Sequence, residues 1–302
     1  KVTVIRLSDP DRLVIDVLRL AVPVRQSITG ETAGAAESIP VITPLGGGFE
    51  LAAAGAAVAA SSAAEVNIPD KLEIGAGRKK IVIDAGHGGK DPGGRKLFGL
   101  KEKELNLLVS KELYELLKSE GVFDVALTRN SDEFIPLADR SVIANNFKAD
   151  VFISIHANAS RDRRERGFEI YFMSEKASDP WAAEVADFEN SVIGLEDGGG
   201  QGDPAAMLLH SMARNEYLNE GSRLAGLVTA EMEKRTPFVN RGVKQAAFYV
   251  LRGTYAPGIL VEMGFMSNSS DQKNMNDKKM RAKIANSIYK AVMKYSEIKK
   301  WQ

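Results

Sequence analysis

The sequence predicts an α/β domain whose central, mostly parallel or mixed sheet is flanked by helices on both faces and interrupted by one long insertion. Two observations carry this prediction. From residue 79 onwards, short β-branched runs alternate with amphipathic helical patterns, which is typical of strands joined by crossover helices. The centre of the first run, at 80–84, is continuously apolar and does not alternate with polar residues, as in a parallel strand that is buried on both faces.

The first half of the domain repeats this alternation. A helix is predicted at 102–120, where Gly121 provides a C-cap and five apolar residues recur at helical spacing: Leu105, Val109, Leu113, Leu116 and Leu117. β-branched and aromatic residues then predict strands at 123–128 and 150–156, separated by a helix at 137–147.

The second half is predicted in the same way. Short β-branched or aromatic runs predict strands at 167–172, 246–251 and 258–263. A helix at 222–235 has three apolar residues on one face, namely Leu224, Val228 and Met232. Four apolar residues, each four positions after the last, mark a C-terminal helix: Met280, Ile284, Ile288 and Val292.

The first 78 residues differ from the rest of the chain. Residues 1–23 contain two β-rich runs around a Ser-Asp-Pro-Asp turn, a pattern that predicts a hairpin too short to hold a core. Residues 24–78 are rich in Ala and Gly, and we interpret them as a linker because small side chains bury little area. An Ala-rich helix at 50–64 is the alternative. The compact domain is therefore expected at 79–302.

An insertion at 173–221 is too long for an ordinary connection in a compact domain, and such insertions often have a function. A helix is predicted at 180–193, with Trp181, Val185, Phe188 and Val192 on one face and Pro180 at its first position. The Gly-rich segment at 194–202 is expected to be mobile.

Composition excludes several functions. Lys plus Arg and Asp plus Glu both number 40 in the 302 residues, so the balanced charge gives no indication of nucleic-acid binding. No apolar stretch is long enough for a membrane span, and no secretory signal is recognisable in this chain. Without cysteine, the chain has neither disulfides, nor thiolate metal sites, nor a cysteine nucleophile.

Two of the three histidines stand where predicted strands end. His87 follows the first strand and precedes Gly88 and Gly89, and His156 ends the strand at 150–156. Ligands of open α/β sheets gather at the carboxyl ends of the strands, so these histidines are candidates for a metal site. The alternative is that each is an ordinary turn or core histidine. His210 lies in the insertion and is expected at the surface.

Two glutamates complete the candidate site. Glu102 stands in the first turn of the helix that follows the His87 loop, where it could either ligate a metal or complement the helix dipole. Two imidazoles and one carboxylate are the ligands of a catalytic zinc that keeps a fourth position open. Glu262 ends a strongly apolar strand, where a carboxylate is costly unless it is paired or used, and we interpret it as a general base.

Seven segments resemble one family in the order in which they occur. They are IVIDAGHGGKDPG (81–93), Glu102 with Lys103, TRNSDEFIPLADRSVIAN (128–145), ADVFISIHANA (149–159), GFEIYF (167–172), RGVKQAAFYVLR (241–252) and ILVEMGFMSN (259–268). Together they resemble the zinc-dependent N-acetylmuramoyl-L-alanine amidases of the amidase_3 type, which are cell-wall hydrolases. The resemblance implies one Zn²⁺ held by His87, Glu102 and His156, and it places Glu102 and Glu262 among the catalytic residues.

The insertion resembles that of the autoinhibited Gram-negative cell-division subclass. In that subclass an inserted regulatory helix blocks the zinc until an activator with a LytM-type domain displaces it. The resemblance implies that Glu189 is the fourth ligand in the autoinhibited state, whereas pattern alone also allows a solvated acidic face formed with Glu184 and Asp187. It further implies a peptidoglycan substrate, a role in septal splitting and a periplasmic location. Residues 7–17 resemble the last strands of an AMIN domain, and an unpaired or swapped hairpin is the alternative.

Two other functions remain open from the sequence. Because the ligand set defines the metal better than the substrate, another zinc peptidase or amidohydrolase is one alternative. A peptidoglycan-binding protein without activity is the other, although the intact set of His87, Glu102, His156 and Glu262 favours an enzyme.

Overall fold

The computed structural model describes residues 2–8, 11–17, 77–195 and 204–301, and the side chains of most of these. The chain divides into two compact units, Lys1–Val66 and Asn67–Gln302. In the first unit, β1 (Val2–Ser8) and β2 (Asp11–Val17) form an antiparallel pair. The predicted linker up to residue 76 and the alternative helix at 50–64 lie outside the described residues.

The second unit contains six strands and seven helices within its described residues. In chain order they are β3 (Lys79–Ala85), α1 (Glu102–Ser119), β4 (Phe123–Leu127), α2 (Leu137–Phe147), β5 (Val151–Asn158), β6 (Phe168–Met173), α3 (Pro180–Asn190), α4 (Pro204–Arg235), β7 (Asn240–Ala246), α5 (Tyr249–Arg252), β8 (Gly258–Phe265), α6 (Ser269–Asn276) and α7 (Lys278–Ile298). A 3₁₀ turn, Ser191–Leu195, follows α3 directly. In the part of the chain that the structure describes, no helix is long and apolar enough to cross a membrane.

The six strands form one mixed sheet in the order β4-β3-β5-β8-β6-β7. β4, β3, β5 and β8 run parallel, β6 is antiparallel to β8, and β7 is parallel to β6. This arrangement, with helices on both faces, confirms the predicted fold class.

The sheet separates two apolar cores because neighbouring residues of a buried strand point to opposite faces. Ile81 and Ile83 of β3 pack on the face that is covered by α1, α4 and α7. Val82, between them, packs on the other face with residues of α2, α3 and α5. The insertion helix α3 therefore contributes to the second core, through Ala182, Val185 and Ala186.

One predicted strand is wrong, and one predicted helix is longer than expected. The residues at 246–251 do not form a strand: β7 ends at Ala246, and Tyr249–Arg252 is the helical turn α5, closed by a bond from the Arg252 amide to the Phe248 carbonyl (2.9 Å). Short apolar runs fit a buried turn as well as a strand, and here they pack Phe248, Val250 and Leu251 into the second core. The polar edge strand β7 shows no such run.

The helix predicted at 222–235 begins earlier, at Pro204, since the apolar stripe marks only its C-terminal half. The short polar helix α6 was not predicted; its N-cap is Asn268, whose side chain accepts from the amides of Ser270 and Asp271. The predicted mobile segment lies outside the described residues from 196 onwards, and so does the side chain of His210, which is in α4.

Candidate metal centre

His87 is held in an unusual turn just after β3. Its φ is 59°, a left-handed value that a non-glycine residue adopts only when its surroundings enforce it. Paired backbone bonds between Gly88 and Asp91, both 3.0 Å long, close this turn. The Asp91 carboxylate lies 2.7 Å from His87 Nδ1, so it fixes the ring and leaves Nε2 facing the cluster.

Glu102 is the first residue of α1, and its carboxylate is completely buried. Oε1 accepts from the Ala157 amide (3.0 Å) and from Asn106 Nδ2 (3.2 Å), and Oε2 accepts from the Gly94 amide (2.6 Å). Burial opposes ionisation of this group, but His87 and His156 hold its pKa well below the usual value. Glu102 is therefore an ionised carboxylate with a fixed orientation.

His156 lies in β5, next to β3 and at the point where its pairing with β8 becomes irregular. Its imidazole ring packs against the backbone of Gly86, where a Cβ would overlap Nε2. The ring centroids of His87 and His156 are 4.9 Å apart and nearly perpendicular. On the other side of β5 lies β8, and its residue Glu262 is directly opposite His156 in the pairing of the two strands.

Gly86→Ala tests this packing. The added methyl group would push the His156 ring away from the cluster, so we expect metal affinity to fall at least about tenfold, as for other changes that misorient a ligand. Metal content and titration calorimetry measure the change. Gly226→Ala in α4 is the control, because its Cβ would meet no atom within 4 Å. Unchanged metal affinity in Gly86→Ala would contradict the geometry described.

Four side chains converge on one point: His87, Glu102, His156 and Glu189, the last from α3. Their ligand atoms all lie within 4.8 Å of one another. His87 Nε2 is 3.0 Å from Glu102 Oε1 and 3.3 Å from Glu189 Oε2. His156 Nδ1 is 3.5 Å and 2.9 Å from the same two oxygens.

This set fits a metal ion. Zinc bound tetrahedrally to nitrogen and oxygen at about 2.0–2.1 Å separates its ligands by about 3.3 Å, close to the four distances above. His87 Nε2 and His156 Nδ1 are buried and have no properly formed hydrogen bond, although carboxylate oxygens lie nearby. Ring nitrogens and carboxylate oxygens that converge on one point are the arrangement that a shared cation requires, once the rings have lost their protons.

Both histidines are basic in the chain without a metal. Burial lowers the pKa of His87, but the carboxylates of Glu102 and Glu189 outweigh it and raise the pKa to about 10. Burial also lowers the pKa of His156, but Glu189 and Glu102 outweigh it and raise the pKa to about 10. A metal must therefore displace protons from both rings.

We accordingly expect Zn²⁺ binding at pH 7 to release about two protons, because each ligating imidazole must lose the proton that it carries in the apo chain. Calorimetric titration in buffers of different ionisation enthalpy measures this number. Apparent affinity should rise as the pH increases towards 10. A titration without proton release would show that the rings are already neutral.

Glu262 is completely buried, and neither of its oxygens has a hydrogen-bond partner. Burial, together with the nearby carboxylates of Glu189, Glu102 and Glu169, raises its pKa well above the usual value. Such a group accepts a proton readily, which suits a general base. Glu169 is opposite Glu262 on β6, so that His156, Glu262 and Glu169 form one row across three strands.

Glu189 reaches the cluster because α3 packs across the second face of the sheet. Asp179 caps the helix by accepting from the Ala182 amide (2.8 Å), and Pro180 occupies the first turn. The Trp181 indole donates to both oxygens of Glu169 at 3.0 Å. At the other end Glu189 is only 6% exposed, so the structure does not place it on a solvated acidic face.

The structure thus brings together all five predicted site residues, and it adds supporting residues that were not predicted. Asp91 orients His87, and Arg140 donates to the His87 carbonyl (2.9 Å) while it pairs with buried Asp84 (2.8 Å). Glu169 holds Trp181 of α3. The only sequence signal for Asp91 was its position four residues after His87 in a glycine-rich turn.

Comparison with known proteins agrees with this site. A family model described as N-acetylmuramoyl-L-alanine amidase matches residues 81–294. The amidase AmiC of Neisseria meningitidis is 34% identical over 222 residues, which make up 72% of this chain and 53% of that protein. This chain thus spans about half the length of that relative.

Solved structures match over a similar part of the chain. The amidase AmiC2 of Nostoc punctiforme aligns with a TM-score of 0.57 and 29% identity, covering 74% of this chain and 99% of that one. The CwlD amidase of Clostridioides difficile, solved in complex with the GerS lipoprotein, aligns with a TM-score of 0.55 and 26% identity, over 73% of this chain and 100% of that one. Since the family model spans every residue of the cluster and Glu262, the chain belongs to the N-acetylmuramoyl-L-alanine amidase family.

Proposed function

We propose that the chain is a zinc-dependent hydrolase of peptidoglycan, which cleaves the amide bond between the lactyl group of N-acetylmuramic acid and the L-alanine of the stem peptide. One observation carries the proposal: His87, Glu102 and His156 converge on one point, and the buried, unpartnered Glu262 stands beside them. The family of the chain supplies the substrate class.

The residues of the chain then have distinct tasks. His87, Glu102 and His156 would hold the zinc ion, which when bound polarises the amide carbonyl and acidifies the attacking water. Glu262 accepts a proton from that water while the water oxygen bonds to the carbonyl carbon. The same carboxyl group then donates the proton to the departing nitrogen as the C–N bond breaks. The products are a lactyl carboxylate and a free stem peptide.

The same proposal includes regulation by α3. With Glu189 in the cluster, the zinc has four protein ligands and no open position for substrate. Activity then requires α3 to leave, and an activator with a LytM-type domain would displace it. That a similar amidase was solved in complex with a lipoprotein supports control by a protein partner.

The names of the relatives support a proposal for the cellular setting. Three of them carry the names AmiC in Neisseria meningitidis, AmiB in Haemophilus influenzae and AmiA in Escherichia coli. We infer a periplasmic enzyme that splits septal peptidoglycan during cell division. We also infer that β1 and β2 are the remnant of an AMIN domain, followed by a linker to the catalytic domain at 79–302.

The test is mass spectrometry of the products that the zinc-loaded chain releases from purified peptidoglycan. The intact chain is compared with a variant lacking residues 177–203. We expect free stem peptides that begin with L-alanine, abundant from the shortened chain and scarce from the intact one. Amino acids released from free peptides would instead favour a zinc peptidase. Zinc binding without any release by either form would favour a binding protein.

A further inference from the structure

The segment 128–145 is one of those that resemble the amidase family, yet none of its side chains belongs to the metal cluster. It contains two arginines that are almost completely buried: Arg129 is 2% exposed and Arg140 is 1% exposed. Removing a guanidinium group from water is costly unless the protein provides hydrogen-bond acceptors in its place. The acceptors of these two side chains therefore indicate what the segment does.

Both guanidinium groups bind the backbone that carries His87. Arg129 donates from Nε to the Ala85 carbonyl and from Nη2 to the Gly86 carbonyl, both at 2.8 Å. Arg140 donates from Nη1 to the same Ala85 carbonyl (2.8 Å) and from Nη2 to the His87 carbonyl (2.9 Å). Three consecutive carbonyl groups are thus held, from the end of β3 into the turn.

This backbone needs support because its conformation is rarely adopted. His87, Gly88 and Gly89 all have positive φ values, of 59°, 130° and 55°. For a residue with a side chain, left-handed backbone is unfavourable and persists only where the surroundings enforce it. The rigid, planar fork of a guanidinium group can bind two acceptors at once, so it fixes the orientation of one relative to the other. The two arginines therefore enforce the turn.

Two acidic residues complete the support. Asp84 accepts from Arg140 Nη1 (2.8 Å), which balances the charge of that arginine beside the turn. Asp132 accepts from the Gly89 amide (2.8 Å) and from Lys103 Nζ (2.7 Å). Lys103 Nζ also donates to the Gly89 carbonyl (2.8 Å). Each of these contacts joins two groups of the protein, so none of them depends on a bound metal.

We propose that Arg129, Arg140 and Asp132 are positioning residues of the metal site. They hold the His87 turn in its ligating conformation before the metal binds. The proposal rests on the zinc site of the proposed function, but not on the substrate. In a preformed site the metal does not have to order the turn, so its affinity is not reduced by the cost of that ordering. Residues that orient a ligand in this way typically change metal affinity by about 10–100-fold.

Arg140→Lys tests the proposal while it keeps the buried charge. A lysine ammonium group can still pair with Asp84, but it cannot bridge the Ala85 and His87 carbonyls as a planar fork does. We expect zinc affinity, measured by competition with a chelator, to fall by about 10–100-fold. Arg129→Lys also keeps its charge and should change the affinity in the same direction.

Arg281→Lys is the control. Arg281 also donates to two backbone carbonyls, those of Met275 (2.9 Å) and Asn276 (2.8 Å), so the same kind of contact is lost where α6 meets α7. Zinc affinity should not change in this variant. The visible spectrum of the Co²⁺-loaded chain is a second readout, because it depends on the geometry of the metal ligands and not on the stability of the fold. We expect the spectrum to change in Arg140→Lys and to stay the same in Arg281→Lys.

If Arg140→Lys does not fold, a surface substitution replaces it. Asp132→Ala removes the contacts with the Gly89 amide and Lys103, and the fold should tolerate the change because the Asp132 side chain is 56% exposed. Glu133→Ala is its control, since it removes the same charge from the next residue, which is also exposed. We expect Asp132→Ala to bind zinc about fivefold more weakly than Glu133→Ala, the loss of roughly one hydrogen bond.

The outcomes separate the positioning role from the amidase function. Unchanged zinc affinity in folded Arg140→Lys, or equal affinities of Asp132→Ala and Glu133→Ala, would overturn the positioning role. A loss of affinity with an unchanged Co²⁺ spectrum would contradict it as well. Release of stem peptides from peptidoglycan by the unchanged chain is measured in parallel. The expected losses of zinc affinity without any such release would uphold the positioning of His87 and overturn the amidase function.

Discussion

Glu262→Gln should retain the metal and lose turnover by about 10²–10⁴-fold, the usual contribution of a positioned general base. Glutamine has nearly the same shape as glutamate but cannot accept the proton of the attacking water. The ligands His87, Glu102 and His156 are untouched, so the zinc content should equal that of the unchanged chain. Product release from peptidoglycan and metal analysis measure the two quantities.

The same substitution should stabilise the fold at neutral pH. Folding raises the pKa of Glu262 above its usual value of 4.5. At pH 7 the ionised carboxylate is therefore less stable in the folded state than in the unfolded state. Ionisation therefore opposes folding, and the penalty disappears below the unfolded pKa, where both states are protonated. We expect metal-free Glu262→Gln to melt at a higher temperature than the unchanged chain at pH 7, with little difference at pH 4.

Glu115→Gln is the matched control, since Glu115 lies exposed on α1 and the substitution removes a charge from the surface. It should alter neither turnover nor melting temperature. A Glu262→Gln variant with normal turnover would disprove the assignment of the base. Loss of turnover together with loss of zinc would show instead that Glu262 supports the metal site.

The site residues that could be predicted from the sequence are those that stand at the ends of strands and helices. His87 follows β3 and Glu102 begins α1, and β3 is the neighbour of β5, which carries His156. Parallel strands bring their carboxyl ends to one edge of a sheet, so recognising these strands was enough to make His87 and His156 candidates for one metal site. The role of Glu189 was implied only by the family resemblance, since the pattern alone also allowed a solvated acidic face. Glu262 followed from the cost of burying a carboxylate in an apolar strand.

Other features depend on contacts that leave no local pattern. The need for glycine at position 86 arises from the ring of His156, seventy residues away, and no periodicity indicates it. The Glu169–Trp181 bond and the pairing of Asn190 with Ala247 likewise depend on how α3 lies on the sheet. The α5 turn was predicted as a strand because its residues are apolar. Apolar residues are expected wherever the chain is buried, in a helical turn as well as in a strand.

Glu189→Ala should raise the activity of the intact chain at least about tenfold in the absence of any activator. Glu189 is the residue of α3 that belongs to the cluster, and its carboxylate approaches both histidines. A charge-assisted contact contributes about 1.5–3 kcal/mol, and each 1.4 kcal/mol changes the open population tenfold. Release of stem peptides from peptidoglycan by the zinc-loaded chain measures the effect.

The point variant tests the gate more cleanly than the deletion of residues 177–203, which should also raise activity. Deletion removes Ala182, Val185 and Ala186 from the second core and exposes apolar surface of the residues that remain in it. That exposure costs about 25 cal/mol per Å² of apolar surface, so the shortened chain should be active but less stable. Glu189→Ala leaves this packing in place.

Glu184→Ala provides the control, because Glu184 lies exposed on the same helix and the substitution removes the same side chain. It should leave activity at the level of the unchanged chain. In Glu189→Ala three ligands remain, so zinc should still bind at one ion per chain although its affinity falls. If activity and zinc are lost together, Glu189 is a ligand that the working enzyme requires, and α3 cannot be a gate. Higher activity with zinc retained distinguishes the inhibitory role from the structural one.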